Sequence, residues 1–349
     1  MDLAARLVAA PRGRRFCAEV ALCADATDSV WNALMTAASF SKDVHAERAL
    51  LIHVVNAIPS SKLVSLTHAD LLIALEQTVN SARYWQPPDE VDEALRAPAL
   101  DDTLERIARA VMDSPHATWW MSATELLTQR AVQWYHGTLG GWDARFGDRG
   151  TSIWPSWRRQ MIAEEHRALR DRPADPAAAV TGRWWSSPAN SGCASTTRMV
   201  AELPAVELDL REDSLGSTRA RVRQAQPRPH TRIYEIHSPA DWTRLVEQYP
   251  LDVSASKRHD WFSTTGRAGH WHMPDWSAVG EDYDAAHLSV IGYLTTSGMA
   301  LPVRVRHIES ASVLAGWSPD ETYWLNPDAV HIIDDATEYD RDDERWHPE

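Results

Sequence analysis

The chain has 349 residues, 44% apolar and 24% charged, the balance of a folded globular protein long enough for two domains. A net charge of −14 disfavours DNA or RNA as a partner, because phosphate binding wants clustered Lys and Arg. Cys17, Cys23 and Cys193, with no CxxC, make a poor disulfide or zinc framework and fit a reducing cytoplasm. The first stretch is apolar only in short bursts, broken by Arg6, Arg12, Arg14 and Arg15. It is too short for a membrane span of about 20 residues, and its charges fall on the wrong side of the apolar run for a signal peptide.

Val30, Leu34, Ala37 and Ala38 give helical spacing over residues 26–40, and Ala46–Ile58 is a second helix stopped by Pro59. Thr67 is the natural N-cap of a third, with Leu71, Leu72, Leu75, Val79 and Ala82 on one face. Asp101–Met112 is a fourth, striped by Leu104, Ile107, Ala108 and Val111. Ser122 or Thr124 opens an expected fifth helix, closed by Gly137. A glycine-rich loop follows (Gly140, Gly141, Gly147, Gly150), then a sixth helix from Ser156. The first half therefore reads as all-helical. Pro173–Ala179 is rich in Pro and Ala and reads as a linker.

Beyond it the period changes. Val206, Leu208 and Leu210 alternate, as do residues 218–222 and 232–236, so strands are expected there. Ser238 followed by Pro239 opens a short helix, and Trp276–Tyr283 is another. Short apolar runs at 287–294, 301–305, 311–315 and 322–325 read as strands, and the last residues as a solvated acidic tail from about 334. The fold class expected is α+β: a helical domain over 1–172, a linker over 173–185, and a strand-rich α+β domain over 186–349.

Seventeen tryptophans are the compositional oddity, and packing is their ordinary use. One ring of Trp119–Trp120 and of Trp184–Trp185 is expected to cap a pocket or meet the other domain. Trp120, Trp134 and Tyr135 are candidates for a site between domains. No phosphate loop, GxSxG or HExxH is present. His270 and His272, two apart, would share a strand face and could grip a metal, with Asp275, Glu281 or His287 as further donors. Cys193 reads as an inert thiol. His287, Ser289 and Tyr293, with Thr295 and Thr296 beyond, form a second polar face on an apolar run.

In residues 230–330, Arg232 stands in an expected strand, Ser263-Thr264-Thr265 follows an aromatic pair, and Glu321 leads an apolar run closed by a Pro. This order resembles mono-ADP-ribosyltransferases of the Arg–Ser–Glu type. The third hydroxyl position is Thr265 where the family has Ser, and its second Glu or Gln falls at Pro319, or in another register the pair falls at Asp320 and Thr322. The resemblance implies NAD as cofactor. Glu321 would stabilise an oxocarbenium-like state, and Arg232 would hold the pyrophosphate. Ser263 and Thr265 would orient the ribose and the strand carrying Glu321, with Thr264 beside them. Tyr234, Trp261, Tyr293 or Trp324 would stack on nicotinamide. Two alternatives stand beside an NAD-using transferase or glycohydrolase. One is a non-catalytic binding protein that grips a small aromatic molecule or a peptide, its helical half making an oligomer. The other is a metal enzyme using His270 and His272. A cytoplasmic protein with a small-molecule partner and no membrane contact is expected throughout.

Overall fold

The computed structural model describes residues 2–39, 44–136, 141–142, 153–189, 192–201, 203–213, 216–342 and 345–349. The chain starts with helices α1 (Leu3–Val8), α2 (Pro11–Ala24), α3 (Ser29–Ala38), α4 (Val44–Ala57), α5 (Ser60–Val64), α6 (His68–Asn80), α7 (Glu90–Leu95) and α8 (Asp101–Met112). Local chemistry sets several of their starts. Asp2 accepts from the Ala5 N–H, Pro11 occupies the first turn of α2, and Thr67 with Asp70 closes a reciprocal capping box on α6. The expected helices at 26–40, 46–58, 67 onward and 101–112 are all present. Gly13 is needed where α2 crosses α1, because a Cβ there would lie 2.1 Å from the Leu7 carbonyl oxygen.

The fifth expected helix is instead a strand, β1 (Gln129–His136), after a short 3-10 turn at Leu126–Thr128. Strand pairing overrides helix spacing here: β1 lies between two partners and buries Ala131, Val132 and Trp134. Gly137, Gly140, Gly147 and Gly150 lie outside the described residues, while Gly141 falls on β2 (Gly141–Trp142). The helix expected from Ser156 is α9 (Trp154–Asp171).

The second half contributes β3 (Ser195–Arg198), β4 (Arg219–Pro227), β5 (Ile233–Ile236), α10 (Pro239–Gln248), β6 (Pro250–Asp252), α11 (Arg258–Thr265), β7 (His272–Pro274), α12 (Trp276–Asp282), β8 (Ala285–Leu288), α13 (Val290–Thr296), β9 (Leu301–Val305), β10 (Ile308–Ser312), β11 (Glu321–Trp324), β12 (Val330–Asp342) and β13 (Arg345–Pro348). The architecture is α+β, with helices dominating the first half and a large sheet built mainly from the second. The sheet runs β13-β12-β4-β1-β3-β11-β8-β5, with β2 hanging on β1. Its pairs are antiparallel except β5 with β8, whose crossover carries α10, α11 and α12. β6–β7 and β9–β10 form two small ribbons.

Three further expectations change. Residues 205–211 are not a strand: Val206–Leu208 is a 3-10 turn whose apolar side chains reach the core without strand pairing. The run 287–294 divides at Ser289, which caps α13 by accepting from Gly292 N–H at 3.1 Å. The acidic end is a sheet element, because Arg219 and Arg221 of β4 neutralise Glu338 of β12 in a cross-strand pair.

One continuous core joins the halves. It contains Leu7, Phe16, Leu75 and Ile107 from the helices with Trp242, Trp276, Tyr293 and Trp317 from the second half. Residues 173–185 carry no regular structure, yet their backbone is held. Lys257 donates to the carbonyls of Arg183 (2.7 Å) and Trp185 (2.8 Å), and Trp261 Nε1 to that of Trp184 (2.8 Å). Side chains here replace the ladder bonds that an irregular segment lacks.

Candidate functional site

Strand register builds a polar row across the sheet. Glu235 of β5 lies opposite His287 of β8, which lies opposite Thr322 of β11, which lies opposite Thr196 of β3. Residues in one row point to one face. His287 Nδ1 is 2.5 Å from Glu235 Oε2, and Nε2 is 3.4 Å from Asp320 Oδ1. Asp320 also accepts from the Arg198 side chain at 2.7 Å and from the Arg198 N–H at 3.0 Å. Arg198 lies over the Trp119 ring, 5.3 Å from its centroid. The second Glu235 oxygen accepts from the Thr124 N–H at 3.0 Å.

The charges set each other. Burial alone would lower the His287 pKa, but its bonds to Asp320 and Glu235 outweigh that and raise it to about 9. Burial raises Glu235, yet the hydrogen bond and charge of His287 bring it below the ordinary glutamate value. His287 is thus an imidazolium at neutral pH with both N–H groups spent on carboxylates. It organises the site and takes no proton. Asp320 holds its position with a left-handed φ of 60°, a conformation that Asp tolerates better than most side chains. Glu235 and His237 form the side of the cluster that reaches solvent, with side chains 23% and 33% exposed and 3.7 Å apart. Burial lowers the His237 pKa, so the ring is neutral at pH 7.

The residues singled out by the resemblance are spread over the fold. Arg232 lies just ahead of β5, its exposed side chain paired to Asp284 at 3.3 Å. Glu321 is buried at the opposite end of the neighbouring rows, where its Oε2 accepts from the Ser318 N–H at 3.1 Å. Ile236, Leu288 and Glu321 share one row, while Arg232 precedes the row of Ile233, Ala285 and Trp324. Four residues of strand separate the two ends, about 13 Å. Ser263, Thr264 and Thr265 are on helix α11 and not on a strand. Thr265 donates to the Trp261 carbonyl at 2.6 Å, and Thr264 to that of Gln86 at 3.4 Å. Tyr234, Trp261, Tyr293 and Trp324 are core residues. The Tyr234 hydroxyl donates to the Asp241 carbonyl at 2.7 Å, and Trp324 Nε1 to Thr196 at 2.8 Å.

His287, Ser289 and Tyr293 do not share a strand face, since the last two belong to the cap and body of α13. Thr295 donates within that helix to the Ile291 carbonyl at 2.7 Å, and Thr296 is buried. His270 is exposed while His272 is buried, its Nδ1 2.8 Å from Ser310 Oγ. Among the described residues no three His, Cys, Asp or Glu are grouped to hold a metal. Cys193 Sγ lies 3.8 Å from the Pro188 carbonyl. The paired tryptophans turn their rings nearly perpendicular, 85° for Trp119–Trp120 and 89° for Trp184–Trp185. Trp120 joins the core on Phe16. Sequence reasoning missed Glu235, Arg198 and His237, and weighed Asp320 only as an alternative register of the Glu321 motif. The alternation YEIH at 234–237 was visible, but only the parallel register sets Glu235 beside His287.

Two clefts open on the seam between the helices and the rest. One, of about 460 Å³, lies between α6, Leu208, Asp209, Asp213, residues 216–218 and β12. The other, of about 570 Å³, has Arg14 and Arg96 on one side and Thr264, Thr265 and Gly298 on the other. Among the described residues no helix is long and apolar enough to cross a membrane. No protein-family model, curated protein or solved structure matches this chain.

Proposed function

We propose that this chain is a binding or interaction protein and not a catalyst. The observation that carries the reading is how its ionisable groups are held. His287 has both nitrogens committed to carboxylates, Arg198 is committed to Asp320, and Glu235 to His287 and Thr124. Such a closed set stabilises one arrangement of the strands and leaves the central histidine no proton to accept. The two seam clefts are both within the size range of small-molecule sites.

A second reading keeps NAD, because Thr264 and Thr265 border the larger cleft together with Arg14 and Arg96. Under it, the Arg96 guanidinium would face the pyrophosphate, since that of Arg14 is already bonded to Asp101 and to the carbonyls of Val8, Leu95 and Ala97. One experiment separates the readings: NAD is incubated with wild type and with Glu321→Ala, and free nicotinamide is measured. The binding reading expects no release above a protein-free control. Release that is lost in Glu321→Ala would overturn it in favour of the transferase or glycohydrolase.

A further inference from the structure

Helices α3, α4 and α5 carry almost no charge. Among the described residues between 29 and 69, the only Asp, Glu, Lys or Arg side chains are Glu47, Arg48 and Lys62, in a chain that is 24% charged. The same stretch holds four of the ten large apolar side chains that stand exposed among the described residues: Trp31, Val44, Leu50 and Val64. In α4, Leu51 and Val55, with Ile58 just beyond, form the inward stripe. The opposite face presents Ala46, Ala49, Leu50, His53, Asn56 and Ala57, all exposed, with Leu50 at 46%. A surface helix ordinarily turns its charged residues to solvent. α4 instead turns out an uncharged face and keeps Glu47 and Arg48 half-buried on its flanks. α3 packs beside it and adds Trp31, 51% exposed. Single exposed apolar side chains are ordinary, but a surface depleted of charge and holding an aromatic and a large aliphatic side chain has the composition of an interface core.

We infer that this face of α3 and α4 binds a second copy of the same chain, as a reversible two-fold dimer. Charge selects that occupant. The chain carries −14, so two copies repel through most of their surfaces and meet only where neither brings negative charge. A basic partner would seek acidic side chains, and the outward face of α4 offers none. The face is also self-complementary. Ala46, Leu50, His53 and Ala57 run small, large, large, small from either end. Two antiparallel copies of α4 therefore set Leu50 against the second copy's His53 and Ala46 against its Ala57, the reciprocal contacts of a two-fold axis. α4 has 14 residues and is about 21 Å long. With α3 alongside, the face falls short of the roughly 800 Å² per partner of a standard stable interface, so a dissociation constant on the order of 10–100 µM is expected. No residue of the seam clefts or of the His287 cluster takes part. The inference thus goes beyond the binding reading, and nicotinamide release would leave it untouched.

Sedimentation velocity of the full chain from about 1 to 300 µM tests it. The expected result is a concentration-dependent shift from monomer to dimer. The shift should strengthen as salt is raised from about 0.05 to 0.5 M, because salt screens the repulsion between acidic copies. Leu50→Glu and Leu50→Lys should each weaken association about tenfold or more. Leu50 is 46% exposed, so both variants should keep the wild-type circular dichroism spectrum. Mixed in equal amounts, the two variants should associate again, since opposite charges then meet near the axis, which misfolded chains would not do. A chain that stays monomeric throughout or associates only at low salt would overturn the inference and leave this face to a different protein. So would Leu50 variants that dimerise as well as wild type, or a mixture of the two that stays monomeric.

Discussion

His287 stands in an apolar run, yet it bears a charge enclosed by two carboxylates. Removing that charge leaves Glu235 and Asp320 facing each other in a buried place. His287→Gln should cost about 3–5 kcal/mol in urea unfolding, and a loss below ~1 kcal/mol would show that the cluster is not closed as described. Glu212 shows the opposite condition. Burial holds its carboxyl up to about 8, next to Tyr84 and Tyr293. The folded protein therefore keeps a proton that the unfolded chain loses near the ordinary glutamate value. Stability should fall as pH rises from about 4.5 to 8. Glu212→Gln should flatten that decline and raise the urea midpoint at pH 8. Lys257 titrates in the other direction. Burial lowers it to about 7, so the unfolded chain binds the extra proton between that value and the ordinary 10.5, and its contribution makes stability rise with pH there. Lys257→Met should remove this rise, and the unfolding midpoint between pH 7 and pH 10 measures it.

Elements meet through a few close approaches. Gly292 brings α13 against the end of β5, where an added Cβ would lie 2.2 Å from the Ile236 carbonyl oxygen. Gly292→Ala should cost about 1–3 kcal/mol in thermal or urea unfolding, since backbone and not a flexible side chain must yield. A neutral result would mean that α13 can slide on the strand. The helices with strong local signals, such as α6 with its capping box and α8 with its apolar stripe, were legible because the chain nearby supplies their bonds. β1 was not legible. Its spacing fits a helix, and the partners that make it a strand, β3 and β4, lie more than sixty residues further along the chain.

The whole molecule has one core that crosses the expected domain boundary. β1 comes from the first half and sits inside the sheet between β3 and β4. Urea unfolding followed by tryptophan fluorescence and by far-UV circular dichroism should therefore give coincident transitions. Two separated transitions would show that the halves fold apart. A fragment ending at residue 172 would carry β1 without either neighbour, with Trp134 deprived of its bond to Glu207.

The amino-acid sequence by itself determined the α+β class and the change of period after residue 173. It also set most helix starts, because these follow from side chains within a few residues of one another. Tertiary structure alone decided that Ser263–Thr265 lie on a helix, that Arg232 and Glu321 stand at opposite ends of the strands, and that Glu235, His287, Asp320 and Arg198 meet. The reason is physical. Strand register and burial are set by contacts between distant segments, and the charge of a histidine or glutamate depends on the neighbours that those contacts supply.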